Sequence, residues 1–188
     1  MTSELRRRKF EPVNNHLRID RKEVEMRTKC LVVSSCTGDK SDHGCSPQLK
    51  LREDDFTTAA KRRDAERKAA TWLKPAAEMY TGRQHRLMMD GLQRLRASSL
   101  NANFDLAIVS AGYGLLREAE EIAPYDITFK GKRTSWIRER GLALDIPASV
   151  HALVAKYQVV FYLLGNEYLK SIGTLPVPTP KQKFFYFR

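Results

Sequence analysis

Apolar residues fall into a few short blocks separated by long charged stretches. Residues 30–35, Cys-Leu-Val-Val-Ser-Ser, form an apolar run rich in β-branched side chains and without alternation. That is the pattern of a strand buried on both faces. Residues 104–110 and 159–164 read the same way, and 184–187 is a candidate closing strand. Between the strands lie segments with helical spacing. Residues 57–73 read as a basic, alanine-rich helix with Thr57 or Thr58 as cap, ended by Pro75. A second helix is expected from Thr81, where Thr81 and Gln84 form the Thr-x-x-Gln pattern of a capping box. Its apolar side is read as Leu87, Met88, Leu92 and Leu95, with His85 and Arg86 on the surface. Pro147 suits the first turn of a third helix, whose inner face is Val150, Leu153, Val154 and Tyr157. A short helix to Ile172 follows Gly165 and Asn166, and residues 115–135 read as irregular.

Buried strands alternating with helices argue for an α/β fold, a mainly parallel central sheet with helices on both faces. Residues 1–28 read as a basic N-terminal arm and 29–188 as a single α/β domain. In such sheets ligands sit outside the carboxyl ends of the strands. The loops after Ser35, Ser110 and Leu164 are therefore the places to look for chemistry.

Charge narrows the choice of partner. The 188 residues carry 33 Lys and Arg against 22 Asp and Glu, a net charge of +11. Such an excess favours a polyanionic partner, nucleic acid ahead of membrane. The basic arm (Arg6, Arg7, Arg8, Lys9) and the basic helix (Lys61, Arg62, Arg63, Arg67, with Lys68) are the candidate phosphate contacts. No apolar run approaches the ~20 residues of a membrane span. The N-terminus lacks the apolar core of a secretory signal. Three cysteines cannot all pair, so reduced thiols and a cytoplasmic location are expected.

The first loop gathers Ser35, Cys36, Asp39, Lys40, His43 and Cys45. A cysteine just past a strand, beside a lysine and backbone amides, is a candidate nucleophile. Taken alone, a cysteine in that place is more often a small buried residue closing a strand. Cys36, His43 and Cys45 match no common zinc spacing, so neither metal nor cofactor is expected. Tyr80-Thr-Gly-Arg83 opens a helix whose free N–H groups suit an anion, with Arg83 to hold it. Ser110-Ala-Gly-Tyr-Gly-Leu-Leu116 and Ile122-Ala-Pro-Tyr-Asp126 form the third group. There Tyr113 and Tyr125 are candidates to stack on a base, and Asp126 to read a ring edge or move a proton. Phosphate-loop, dinucleotide, serine-hydrolase and zinc-protease motifs do not occur in the chain.

These segments carry a resemblance. Ser110-Ala-Gly-Tyr-Gly-Leu-Leu-Arg117 followed by Ile122-Ala-Pro-Tyr-Asp126 resembles the corresponding stretch of the YaaA (peroxide stress) proteins. Ala76-Ala-Glu-Met-Tyr-Thr-Gly82 is similar to that family's Asp-x-Tyr-x-Gly element. Ser34-Ser-Cys-Thr-Gly-Asp-Lys40 occupies the place of its early Ser-Pro-Ala-Lys loop, with Ser35 and Cys36 where the family has Pro-Ala. Small bacterial and phage domains with Ser-Cys-x-x-Lys, Tyr-Thr-Gly and Ser-Ala-x-Tyr-Gly-Leu resemble the chain more closely. Tyr125-Asp-Ile-Thr-Phe-Lys-Gly131 is similar to a pattern in the deazaguanine-handling domain of archaeosine synthase. The likeness covers roughly residues 30–172. It implies a YaaA-like α/β domain that binds DNA, in a neighbourhood of proteins that act on nucleobases, DpdC-type deazaguanine modification included.

Two functions compete. In the first, the protein acts on a nucleobase in DNA or tRNA. Cys36 attacks an electrophilic carbon such as the nitrile of 7-cyano-7-deazaguanine, and Ser35, Lys40, Tyr80, Arg83, Ser110, Tyr113 and Tyr125 bind the substrate beside Asp126. In the second, the chain is a non-catalytic DNA-binding module of the YaaA type. Protein partners in a modification or defence system are compatible with both.

Overall fold

The structure is a computed structural model and describes residues 27–187. The arm residues Arg6, Arg7, Arg8 and Lys9 lie outside the described residues.

Five strands form the main sheet, in the order β4-β3-β1-β6-β7. The central strand β1 (Thr28–Ser35) pairs in parallel with β3 (Ala102–Ser110) on one side and β6 (Val159–Leu163) on the other. Strand β7 (Lys183–Tyr186) extends the parallel set beside β6, and β4 (Gly114–Arg117) returns antiparallel to β3. A two-stranded antiparallel pair, β2 (Lys74–Pro75) and β5 (Glu121–Ile122), lies apart. Leu31, Val32 and Val33 on β1, and Leu106 to Val109 on β3, are buried in succession. The absence of alternation in the sequence thus reflects cover on both faces.

Among the described residues six α-helices join the strands: α1 (Ala59–Lys68), α2 (Ala76–Met79), α3 (Arg83–Ala97), α4 (Thr134–Ala143), α5 (Ile146–Val154) and α6 (Asn166–Ile172). The chain leaves β1 toward β3, then crosses back past β1 to β6 and on to β7. Right-handed crossovers in opposite directions put their helices on opposite faces of the sheet. The direction reverses at β1 and β6, so these two strands flank the topological switch point, where α/β sheets open a crevice.

The expected helix over 57–73 is shorter: α1 ends at Lys68 and a 3-10 turn, Ala70–Trp72, follows. Thr58 is its cap, the hydroxyl accepting from Lys61 N at 3.2 Å. The capping box expected at Thr81 and Gln84 does not form. Helix α3 begins at Arg83, and its N-cap, Gly82, is held by a distant residue: Gly82 N donates to Thr37 Oγ1 at 3.2 Å. The inner face of α3 also differs, because His85 is buried with Leu92 while Leu87 and Leu95 are exposed. Residues 115–135 include β4 and β5, and α4 went unread in the sequence.

Candidate functional site

The carboxyl ends of β1, β3 and β6 lie in register, with Ser34 opposite both Ile108 and Leu163. The loops after Ser35, Ser110 and Leu164 therefore meet at one edge. The first loop is pinned there by backbone bonds: Cys36 N to Val109 O at 2.9 Å, Ser41 N to Met79 O at 2.7 Å, and Thr81 N to Asp39 O at 3.0 Å. A second junction, Leu51 N to Pro124 O and Asp126 N to Leu51 O, brings residues 50–52 beside Tyr125.

Each segment supplies one side chain to a buried cluster. Ser110 Oγ accepts from Gly112 N at 3.2 Å and from Tyr113 N at 3.0 Å. Both its lone pairs are then used, so the 2.8 Å contact with Tyr125 is a bond that Ser110 donates. Tyr125 passes its own proton to Tyr80 at 2.9 Å. The chain Ser110→Tyr125→Tyr80 thus leaves the Tyr80 hydroxyl proton free at its end. Burial pushes the Tyr80 and Tyr125 phenols far above their usual range, and a charge at Cys36 raises them further. Both remain neutral donors at any ordinary pH.

Cys36, 5% exposed, sits beside this chain with its sulfur 3.1 Å from the hydroxyl of Tyr168 on α6. The same hydroxyl donates to the Cys36 carbonyl at 2.9 Å. While the thiol is protonated, Sγ–H donates to Tyr168. Once ionised, the sulfur becomes an acceptor to which the phenol proton can turn. Lys40 is buried, with Nζ 4.3 Å from the centroid of the Tyr125 ring. Desolvation lowers its ammonium pKa, and the charges of Cys36, Asp126 and Asp42 pull it back up.

The expected substrate residues divide accordingly. Cys36, Lys40, Tyr80, Ser110 and Tyr125 come together, and Tyr113 packs edge-on against Tyr125 with ring centroids 5.4 Å apart. Burial leaves Tyr125 without an open face for a base, whereas Tyr113 is half-buried. Tyr125 is 1% exposed, with Lys40 over its ring and Phe56 and Tyr113 against its edges. Tyr113 is likewise packed against Phe56, and its hydroxyl accepts from Ala123 N at 3.1 Å. Asp126 is exposed and lines a polar pocket of about 250 Å³ with Lys40, Asp42, Lys50, Arg52 and Tyr125, and Cys36 is not among its lining residues. Arg83 is exposed at the start of α3, outside the cluster. Ser35 lines a cleft between β1 and β6.

The basic helix is less bare than its composition implied. Lys61 pairs with Asp54 at 3.3 Å, Arg62 with Glu66 at 3.7 Å, and Arg67 with Asp64 at 2.9 Å. Arg63 is exposed. Surface pairs of this kind contribute little to stability and can be exchanged for phosphate.

Sequence reasoning missed Tyr168, Lys50, Arg52 and Asp42. Tyr168 follows the third sheet-edge loop, and that position was its only signal. Among the described residues, no group of three or more His, Cys, Asp and Glu is placed to hold a metal ion, and no helix is long and apolar enough to cross a membrane. Architecture and cleft define an α/β protein with a mostly parallel five-stranded sheet and a switch-point crevice. Compared with models of known protein families and with the sequences of curated proteins, the chain matches none.

Proposed function

We propose that the protein binds nucleic acid and acts on a nucleobase through the Cys36 thiol. The observation that carries this reading is the setting of the sulfur, 3.1 Å from the neutral phenol of Tyr168 and close enough to Tyr80 and Tyr125 for a charge on it to be felt by both. The segments that resemble YaaA-like proteins each give that cluster a side chain: Cys36, Tyr80, Ser110 and Tyr125. This convergence supports a YaaA-like relationship. In the reaction, the thiolate forms a bond to an electrophilic carbon such as a nitrile, and the nitrile nitrogen takes up a proton. Water or an amine then attacks the thioimidate and expels the thiol. Tyr80, whose proton is free, and Lys40 are the nearby donors. Lys40, Lys50 and Arg52 around the polar pocket, together with Arg63, suit phosphate. A cytoplasmic location belongs to the proposal, supported by three unpaired cysteines, Cys30, Cys36 and Cys45.

A second reading, a binding module without chemistry, is favoured by the burial of the thiol. One experiment separates them. DNA and tRNA carrying guanine or 7-cyano-7-deazaguanine are incubated with the protein and with Cys36→Ala, then digested and analysed by nucleoside mass. A mass change that the variant abolishes supports the thiol chemistry. Salt-sensitive binding by both proteins, with no product from any substrate, leaves the module.

A further inference from the structure

The crevice at the switch point is a cleft of about 530 Å³, a volume suited to a small organic ligand. Its lining includes no Lys, Arg, Asp or Glu, although the chain as a whole carries +11. Met88, Leu163 and Leu164 form apolar walls, and Leu87 and Phe187, 61% and 55% exposed, stand at its rim. Ser34 and His85 also line it. Each is only 4% exposed, and each leaves a polar atom without a partner among the described residues: Ser34 Oγ and His85 Nδ1. A buried polar atom left unmatched costs about 1–3 kcal/mol, so a pair of them in one cleft calls for a ligand.

The chemistry of the two atoms fixes what that ligand presents. His85 Nε2 lies 2.8 Å from the carbonyl of Ala77, which can only accept, so Nε2 carries the proton. In the neutral ring, Nδ1 is then a bare acceptor. Burial lowers the imidazole pKa and favours that neutral form. Ser34 Oγ can both donate and accept. The cleft therefore suits an uncharged ligand with an N–H for His85 and a C=O or N–H for Ser34, carried on an apolar body.

We infer that the switch-point cleft binds a planar heterocycle of the free nucleobase or nucleoside class, with its amide-like edge on Ser34 and His85. The site goes beyond the thiol chemistry proposed above and does not depend on it, because Cys36 is not among the lining residues and directs its sulfur to Tyr168.

The full chain is titrated by calorimetry with guanosine, adenosine, cytidine and uridine, and the nitrogens of His85 are followed by NMR. Saturable binding of at least one nucleoside is expected, with a shift of the Nδ1 resonance at saturation. Ser34→Ala should weaken it about tenfold, the effect of one lost buried bond. Leu87→Glu, at an exposed rim position that leaves the core untouched, should weaken it by at least as much. Cys36→Ser should bind as the native chain does, so that loss of base chemistry and loss of this site are told apart. No saturable binding up to millimolar concentration overturns the inference, as does binding that leaves the Nδ1 resonance unmoved or that neither Ser34→Ala nor Leu87→Glu weakens.

Discussion

Cys36 and Tyr168, 132 residues apart, are joined twice: the Tyr168 hydroxyl donates to the Cys36 carbonyl at 2.9 Å and lies 3.1 Å from its sulfur. Removing that hydroxyl leaves a buried carbonyl and a thiol without a partner. Tyr168→Phe should lower unfolding free energy by about 1–3 kcal/mol, measured by urea denaturation. A change below about 0.5 kcal/mol would mean that neither bond matters to the fold.

All three thiols are buried. Labelling of the native protein with a disulfide reagent should be slow at every cysteine and become complete on unfolding. Addition of the correct nucleic acid should accelerate labelling of Cys36 alone if the thiol is the nucleophile. Unchanged labelling with every nucleic acid tested counts for the binding module.

Ser110 and Tyr80 stand at opposite ends of the hydroxyl chain and should differ in their contributions. Ser110→Ala strips the partner from two backbone N–H groups and from Tyr125, at a cost of about 3 kcal/mol or more. Tyr80→Phe removes only the last acceptor, at about 1 kcal/mol. Equal losses for the two would contradict the larger set of buried partners held by Ser110.

A methyl group on Gly112 would lie 2.9 Å from Tyr125 Cδ2 and 3.2 Å from Phe56 Cζ, whereas one on Gly38 would meet open space. Gly112→Ala should therefore destabilise by about 1–3 kcal/mol and displace Tyr125 from the cluster. Gly38→Ala should have little effect. Paired thermal melts check the contrast.

Stability should fall at both ends of the pH scale. The pKa of His85 is lowered from 6.5 by burial, so it stays neutral in the folded chain where the unfolded chain already binds a proton. Stability from this group is complete above about pH 6.5 and drains away below it. The tyrosines, among them Tyr80, Tyr125, Tyr113 and Tyr168, are raised above 10 by burial. The unfolded chain loses those protons first, so stability falls as pH rises past about 10. Lys40, lowered by burial, works in the opposite sense but is a single group. Phenolate absorbance during an alkaline titration should rise together with unfolding, and a smooth titration of native tyrosines near pH 10 would refute the burial.

The strands were legible because burial on both faces leaves a direct trace, as in Leu31-Val-Val33 and Leu106-Ala-Ile-Val109. The edge where chemistry gathers followed from those strands alone. What was lost depended on distant packing. The inner face of α3 was misread at Leu87 and Leu95 because His85 is buried through its bond to Ala77, which no local period encodes. Helix α4 was invisible partly because it contains Gly141, where a Cβ would overlap the backbone of Ser171. A glycine that normally argues against a helix is here required by the close approach of α6. Tyr168 had no motif of its own, only its place after the third loop.

The long reach of the Cys36–Tyr168 pair also bears on how the site comes into being. Parallel pairing of β1 with β3 and β6 closes loops of many tens of residues before any contact rewards the entropy spent. Folding should accordingly be slow for the size of the chain. No fragment that omits either end of the 36–168 span can hold the thiol in its setting, so an emerging nascent chain carries an unassembled cysteine until α6 has docked.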